Sequence, residues 1–443
     1  MKQIRKTLVC TALLLAAALT GCAENEPAPS ISGQTNVPIA QQTDGSGLSS
    51  AMSIQPGTVI AEGSCGEKLT WTLDENGLLT ISGSGEMEEY TASTTGNTPW
   101  KDSLKQIRAV RILDGVTSIG EGAFYYCDSL ASVTIPDSVT RIGGYVFYHC
   151  VSLTDITIPG SVTEIGAGAF ESCESLTSVT IPEGVTKIPR HAFEDCDSLT
   201  SVTIPDSVTE IGESAFEYCE SLTSVTIPKG VTEIPAKAFY ECKSLTSVAI
   251  PDGVTKIGEE AFGWCESLTN VTIPDSVTQI GSSAFSYSAL TSVTIPESVT
   301  RINDYAFAWC ESLTSITIPK SVTSIGDSMF CGSTALIDIQ VAPENLKYSS
   351  LNGVLYDKAQ RELIAYPVGK ADTSFVIPNS VTIIHNYAFD RCTSLTSITI
   401  PDSVTKIGYG SFDEGCDSLI IHAPAGSYAE TYAKEHDIPF QAQ

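Results

Sequence analysis

A repeat solenoid, mainly β, is the fold class this sequence predicts, and three observations carry it. Ile112, Ile135, Ile158, Ile181, Ile204, Ile227, Ile250 and Ile273 follow one another at intervals of 23 residues; Ile295 comes after 22, Ile318 after 23, and Val341 holds the same place another 23 on. Each run ending at one of these positions alternates apolar and polar residues, as in LTSVTI, and from Ile135 to Ile318 each is followed by proline. Most units also carry a Phe-x-x-Cys turn, as in Phe124 to Cys127 and Phe216 to Cys219.

A period in the twenties is that of a leucine-rich solenoid, in which one supersecondary unit is stacked many times. One unit reads LTSVTIPDSVTEIGESAFEYCES, Leu199 to Ser221, and its apolar positions Leu199, Val202, Ile204, Val208, Ile211, Phe216 and Cys219 face inward. The alternation in LTSVTI marks one strand, VTEIG a second short extended piece, and ESAFEYC a tight turn or single helical turn that brings the chain back. One rung cannot close a core. Stacked rungs bury these side chains at roughly 1.5 to 3 kcal/mol each before entropy is subtracted.

Taken in order, the chain begins with Lys2, Arg5 and Lys6, an apolar run from Thr7 to Leu19, and small residues, the three parts of an export signal over residues 1–21. It ends in LTGC, Leu19 to Cys22, which resembles the lipobox of bacterial lipoproteins. That resemblance implies cleavage before Cys22 and lipidation of its thiol, with several acyl chains holding the protein on a membrane at roughly 0.8 kcal/mol per buried methylene. Residues 22–57, rich in Ser, Gly, Pro and Thr, read as a flexible tether reaching roughly 30 Å. Residues 58–104 form an N-terminal β-hairpin cap with its turn at Glu75-Asn76-Gly77. Leucine-rich repeats fill residues 105–340. The interval from Val341 to Ile377 stretches to 36, so 341–376 is a repeat with an inserted hairpin, placed at Asn352 to Pro367. Regular repeats resume over 377–418. The end, 419–443, is a C-terminal cap with a last strand near Leu419 to His422 and a short helix near Ser427 to His436.

The repeated IPDSVTxIGxxAFxxCxSLTSVT, the WTLDENGLLTISGSGEM lead-in and the GSYAETYAKEHDIPF tail together resemble BspA-type leucine-rich repeat surface proteins, over about residues 58–443. The resemblance implies a bacterial surface protein, in some members an adhesin for host extracellular matrix proteins or for other microbes. Its partners would then be a protein ligand first and a glycan second. Its place would be extracytoplasmic, lipid-anchored at the cell surface, with the membrane met through the anchor alone. At Ser288 the unit departs from its own pattern: serine takes the cysteine place and one residue is missing.

Charge narrows the partners further. A formal net charge of -28 repels nucleic acid and anionic headgroups at long range, which excludes a nucleic-acid function. No nucleophile and base pair, metal spacing or phosphate loop is found, so no catalytic residue, cofactor or metal is assigned and the chain is read as no enzyme. The cysteines recur once per rung, from Cys127 to Cys265, and form a column of buried thiols rather than disulfides. The outward strand positions form a column of threonines, from Thr134 to Thr317, read as hydroxyl pairing between strands. Two places after each Phe lies the column chosen for ligand contact: Tyr126, His149, Tyr218, Trp264, Tyr287 and Trp309, interrupted by Ser172, Asp195 and Glu241. Tyr and Trp give large contact area at low entropy cost, and they also serve to cover turn backbone; both readings stand. Glu171, Glu194 and Glu217 stack beside them, either as solvated carboxylates or as a site for a basic partner or calcium. The leading function is an adhesin, with a glycan- or nutrient-capturing receptor and a scaffold for other envelope proteins as the alternatives.

Overall fold

The computed structural model describes residues 57–90, 97–413, 415–416 and 418–443. The expected leader, Cys22 and the tether as far as Pro56 lie outside them. The described chain is a mainly β solenoid of about 14 turns, with a period of about 23 residues and very little helix.

Each rung has three sides. In the unit that starts at Leu199, Ser201–Thr203 is the first strand and pairs in parallel with Ser178–Thr180 of the preceding rung, Val202 opposite Val179. Glu210–Ile211 is the second, parallel to Lys187–Ile188. Proline after each Ile ends the first strand because it has no N–H to offer the ladder. The third side is a run of turns through Phe216 to Cys219.

That third side is hydrogen-bonded in an alternating manner. Ser214, Phe216 and Tyr218 donate their backbone N–H groups to Ala236, Ala238 and Tyr240 of the next rung at 3.1, 3.0 and 2.8 Å. The residues between them, Ala215, Glu217 and Cys219, donate instead to carbonyls three residues earlier in the same rung. Aiming alternate N–H groups along the stack takes two left-handed residues per rung, here Ser214 at φ +55° and Tyr218 at φ +61°. A non-glycine residue there costs about 1–2 kcal/mol. Glycine fills the first of these columns at Gly122, Gly168 and Gly410 and the second at Gly332.

Inside, Val208, Ala215, Phe216, Cys219 and Leu222 are fully buried, while Val202 and Ile204 at the strand are only partly covered. The phenylalanines form one file of stacked rings. Phe216 lies 5.5 Å from Phe193 and 5.5 Å from Phe239, and the file runs from Trp100, 5.8 Å from Phe124, to Phe330. The polar letters of the unit are pegs between rungs. The Ser207 hydroxyl donates to the Val185 carbonyl at 2.8 Å, Thr209 to Thr186 at 3.4 Å, Thr223 to Thr200 at 3.3 Å, and the Cys219 thiol to Phe193 at 3.2 Å. Hydroxyl bonding between rungs is therefore carried by these columns, whereas the column from Thr134 to Thr317 lies exposed on the strand face.

At the N-terminal end, β1 (Val59–Gly66), β2 (Leu69–Asp74) and β3 (Leu78–Gly83) form an antiparallel sheet, and β3 then pairs in parallel with Ala109–Ile112. The Asp74 carboxylate accepts from the N–H groups of Asn76 and Leu78 at 2.9 and 2.8 Å, and Gly77 takes φ +83°, which fixes the turn. Trp100 ends the ring file. Its Nε1 donates to the Ala123 carbonyl at 2.9 Å, and Trp71 and Tyr90 meet its ring edge-on.

The insertion is three strands, β4 (Tyr348–Leu351), β5 (Val354–Asp357) and β6 (Glu362–Ala365), each antiparallel to the next. It begins before the hairpin expected at Asn352. Asn352 and Gly353, at φ +53° and +81°, are the two-residue turn between β4 and β5. Side chains of β5 alternate between two cores: Leu355 belongs to the one that runs back to the N-terminal cap, Val354 and Tyr356 to the one that runs on to the C-terminus. Buried Asn345 closes the last rung before it, donating to the Pro319 and Val322 carbonyls at 2.8 and 3.0 Å. The chain ends in Ile420–Ala423, helix α1 (Tyr428–Glu435) capped by Ser427, and Phe440–Ala442, which adds a parallel strand.

Two substitutions separate packing from backbone strain. Phe216→Ala opens the ring file and is expected to cost about 3–5 kcal/mol in denaturant unfolding. Ser283→Gly, at φ +53° in the first left-handed column, is expected to raise stability by about 0.5–1 kcal/mol, and a loss in the same measurement would contradict the strain assigned there.

Candidate binding surface

Side chains that differ from rung to rung gather on the turn side, in columns two before, one after and two after each Phe. Tyr126, His149, Tyr218, Trp264, Tyr287 and Trp309 all occupy the last of these, half-buried, with φ between +58° and +61°. Each donates its backbone N–H to the next rung at 2.7–2.9 Å. Their register is thus a demand of the backbone, and the side chains follow it.

The structure joins these residues unevenly. Trp264 stacks on Tyr287 with ring centroids 3.8 Å apart, Tyr287 on Trp309 at 5.2 Å, and the Arg391 guanidinium lies 4.1 Å from the Trp309 ring centre. A Cβ on Gly332, the residue in this column on the next rung, would come within 2.6 Å of the same indole. Both faces of Tyr287 and both faces of Trp309 are therefore engaged within the chain. Tyr126 and His149 form a separate pair at 4.6 Å, with His149 Nδ1 at 3.2 Å from an Asp128 carboxylate oxygen. Tyr218 sits between Asp195 and Glu241 in its column and meets Tyr240 edge-on.

The acidic column is also uneven. Glu194 is paired with His191 at 2.5 Å, and buried Glu217 with Lys237 at 3.7 Å. Glu220, three residues on in the same rung as Glu217, meets Lys243 at 2.9 Å. Among the described residues no cation stands within ion-pair reach of Glu171. Burial first, then Glu194, Asp195 and Glu217, push its carboxyl up to about 8. Tyr125, Tyr145, Tyr148 and His191 stand around it and were not among the residues picked out in the sequence. Their signal is column arithmetic: positions one after and two before successive Phe residues meet only once rungs are stacked. Among the described residues no group of three or more His, Cys, Asp or Glu is arranged to hold a metal ion.

Every described cysteine is buried, and those of the column from Cys127 to Cys265 are free thiols. Each of Cys150, Cys173, Cys196, Cys219, Cys242 and Cys265 donates its thiol to the Phe carbonyl of the preceding rung at 3.2–3.3 Å. Burial pushes these thiols well up, so the thiolate needed for disulfide or metal chemistry is suppressed. Ser333 takes the same place with the same bond, its hydroxyl donating to the Phe307 carbonyl at 2.9 Å. The column selects a small hydrogen-bond donor.

Parallel short strands, a 23-residue rung and a variable turn side define a leucine-rich repeat solenoid of the kind used for binding. The chain belongs to the BspA-type leucine-rich repeat family: the BspA type leucine rich repeat region matches in six copies over residues 102–223, 232–352 and 370–429, more than half of its length. Among solved structures it is similar to a leucine-rich repeat protein from Bacteroides ovatus, 25% identical with a TM-score of 0.53, over 85% of this chain and 98% of that one. It is also similar to a leucine rich cell surface protein from Faecalibacterium prausnitzii, 29% identical with a TM-score of 0.47, over 86% of this chain and 98% of that one. No curated protein matches. No catalytic family is indicated.

Because the thiols are enclosed and hydrogen-bonded, maleimide labelling of the folded chain is expected to leave Cys127 to Cys265 unmodified and to reach them only in denaturant. Mass spectrometry reads the result, and disulfides recovered along the column without denaturant would contradict the ladder.

Proposed function

We propose that the chain is a non-enzymatic adhesin of the bacterial cell surface, held there by lipid on Cys22 and engaging a protein ligand through the turn side of its repeats. The observation that carries this reading is the division of labour between the faces. The strand face repeats Ser and Thr with little change, while the turn side concentrates the aromatic, acidic and basic side chains in columns that span many rungs. A protein partner needs such a varied, extended surface with aromatic and Arg anchors. Membership of the BspA-type family supports a surface location, and no helix of the described residues is long and apolar enough to cross a membrane.

A glycan receptor is the weaker reading on geometry. Sugar stacking needs a free aromatic face, and in the Trp264–Tyr287–Trp309 stack the rings largely cover one another. Ring edges and the indole N–H groups suit a polypeptide surface better.

The test is an immobilised-ligand screen of the purified chain against matrix proteins and a glycan array, beside the triple variant Trp264→Ala, Tyr287→Ala, Trp309→Ala. Saturable matrix-protein binding that drops at least about tenfold in the triple variant, with its melting transition retained, is the expected result. Glycan binding alone moves the reading to a receptor, and binding to neither moves it to a scaffold among envelope proteins.

A further inference from the structure

The turn side carries an open cleft of about 490 Å³ lined by Tyr125, Tyr145, Tyr148, Glu171, His191 and Glu194. Aromatic rings build its wall. Tyr125 stacks on Tyr148 at 4.5 Å and 9°, and Tyr145 meets Tyr148 edge-on at 6.1 Å. Glu171 and Glu194 continue the column of Tyr125 and Tyr148 on the next two rungs, so carboxylates follow rings at one rung spacing.

The same chain shows what such a place accepts. Two rungs further on, Lys237 Nζ lies 3.7 Å from a Glu217 carboxylate oxygen, 3.5 Å from one of Glu260, and 5.4 Å from the centre of the Tyr240 ring. A primary ammonium is thus held by two carboxylates and a tyrosine. Lys237 stands 20 residues after Glu217, and His191 stands 20 residues after Glu171, so the two occupy one column. His191 turns to Glu194 instead and is shorter than lysine, and Glu171 is left beside the tyrosines with no ammonium of the chain's own.

We propose that this cleft binds a primary alkylammonium group from outside the chain, with Glu171 as its counter-ion and the Tyr125, Tyr145 and Tyr148 rings as its walls. The group is the lysine side chain of a partner polypeptide or the terminus of a free aliphatic amine. Ammonium over tyrosine beside a carboxylate combines ring quadrupole and charge in a partly desolvated place, where both act more strongly than in water. The inference is independent of the adhesin reading, since small amines alone test it.

Binding is linked to protons. The groups facing Glu171 are Glu194, Asp195 and Glu217, which with burial raise its carboxyl; His191, engaged by Glu194; and the tyrosines, of which Tyr125 and Tyr148 are pushed up by burial. Glu171 holds its proton until about 8, and an incoming ammonium displaces it. Affinity therefore rises as pH climbs toward and past that value, until the amine itself begins to deprotonate near its own pKa of about 10.4.

The experiment is calorimetric titration of the full chain with N-acetyl-lysine methylamide and, separately, with cadaverine, at pH values of about 6.5 and 8.5. Saturable binding of either that strengthens about tenfold or more with the pH step is expected. Glu171→Gln removes the counter-ion and should abolish both the binding and its pH dependence. His191→Lys puts a lysine in the Lys237 column beside Glu171, and should block the external amine while the melting temperature is held or raised. Tighter binding of the lysine probe assigns the cleft to a polypeptide partner, tighter binding of cadaverine to a free amine. No heat from either amine, or binding undiminished in folded His191→Lys, overturns the proposal.

Discussion

The stack depends on one backbone contact repeated from rung to rung up to the insertion: an N–H on the turn side reaching the carbonyl of the next rung at about 2.7–3.1 Å. Parallel strands make this easy on two sides, since their donors already alternate along the stack. On the third side the chain is turning, and left-handed residues two before and two after each Phe are what aim the donors. Few side chains tolerate that conformation without cost, yet Tyr, Trp, His, Ser, Glu and Lys all hold it here. The stack on either side over-determines them. The same constraint decides where functional side chains can project, because the column that holds the aromatics is the column that carries the strain.

Stability is shared between neighbours in such an array, and the insertion is where the sharing changes hands. Upstream of it one ring file runs from Trp100 to Phe330; downstream Tyr366, Phe389 and Phe412 form another, closed by Tyr432 of α1. The strand β5 faces both. Side chains also bridge the outside of the junction: His385 lies 3.4 Å from Asp327 and 2.9 Å from Glu362, and Asn386 donates to Asp327 at 3.1 Å. Exposed pairs of this kind contribute little singly, so the apolar contact through Leu355, Val354 and Tyr356 is the main coupling between the two files.

The Ile spacing and the Phe-x-x-Cys turn made the period and the inward face legible, because burial imposes the same letter at the same place in each rung. Ala215 and its equivalents, fully buried beside the Phe, repeat as regularly and belong with them. What was not legible is conformation that no letter encodes. Tyr126 and Trp264 carry no mark of a positive φ, and only glycines at positions such as 122, 168 and 332 hint at it. The cleft at Glu171 was hidden for another reason: it joins columns two before and one after the Phe across rung boundaries. The first inserted strand at Tyr348 and the last at Phe440 escaped because each is short and is defined by its partner more than by its own pattern.

The pegs between rungs have an implication for how such a chain varies. Ser207, Thr209, Cys219 and Thr223 each reach back to a carbonyl; the thiol and Thr223 pegs recur in both neighbouring rungs, where Gly184 and Gly230 stand in the serine place. Interior interfaces are therefore built to one plan around the thiol and threonine pegs, with the serine peg present at some and replaced by glycine at others. Duplicating or deleting one whole rung keeps the thiol and threonine pegs in register at the new junction, whereas a shift of a few residues breaks them at once. The length of the array is thus free to drift in whole rungs. Columns shorten or lengthen with it, and the ligand surface can be re-cut without redesigning the core.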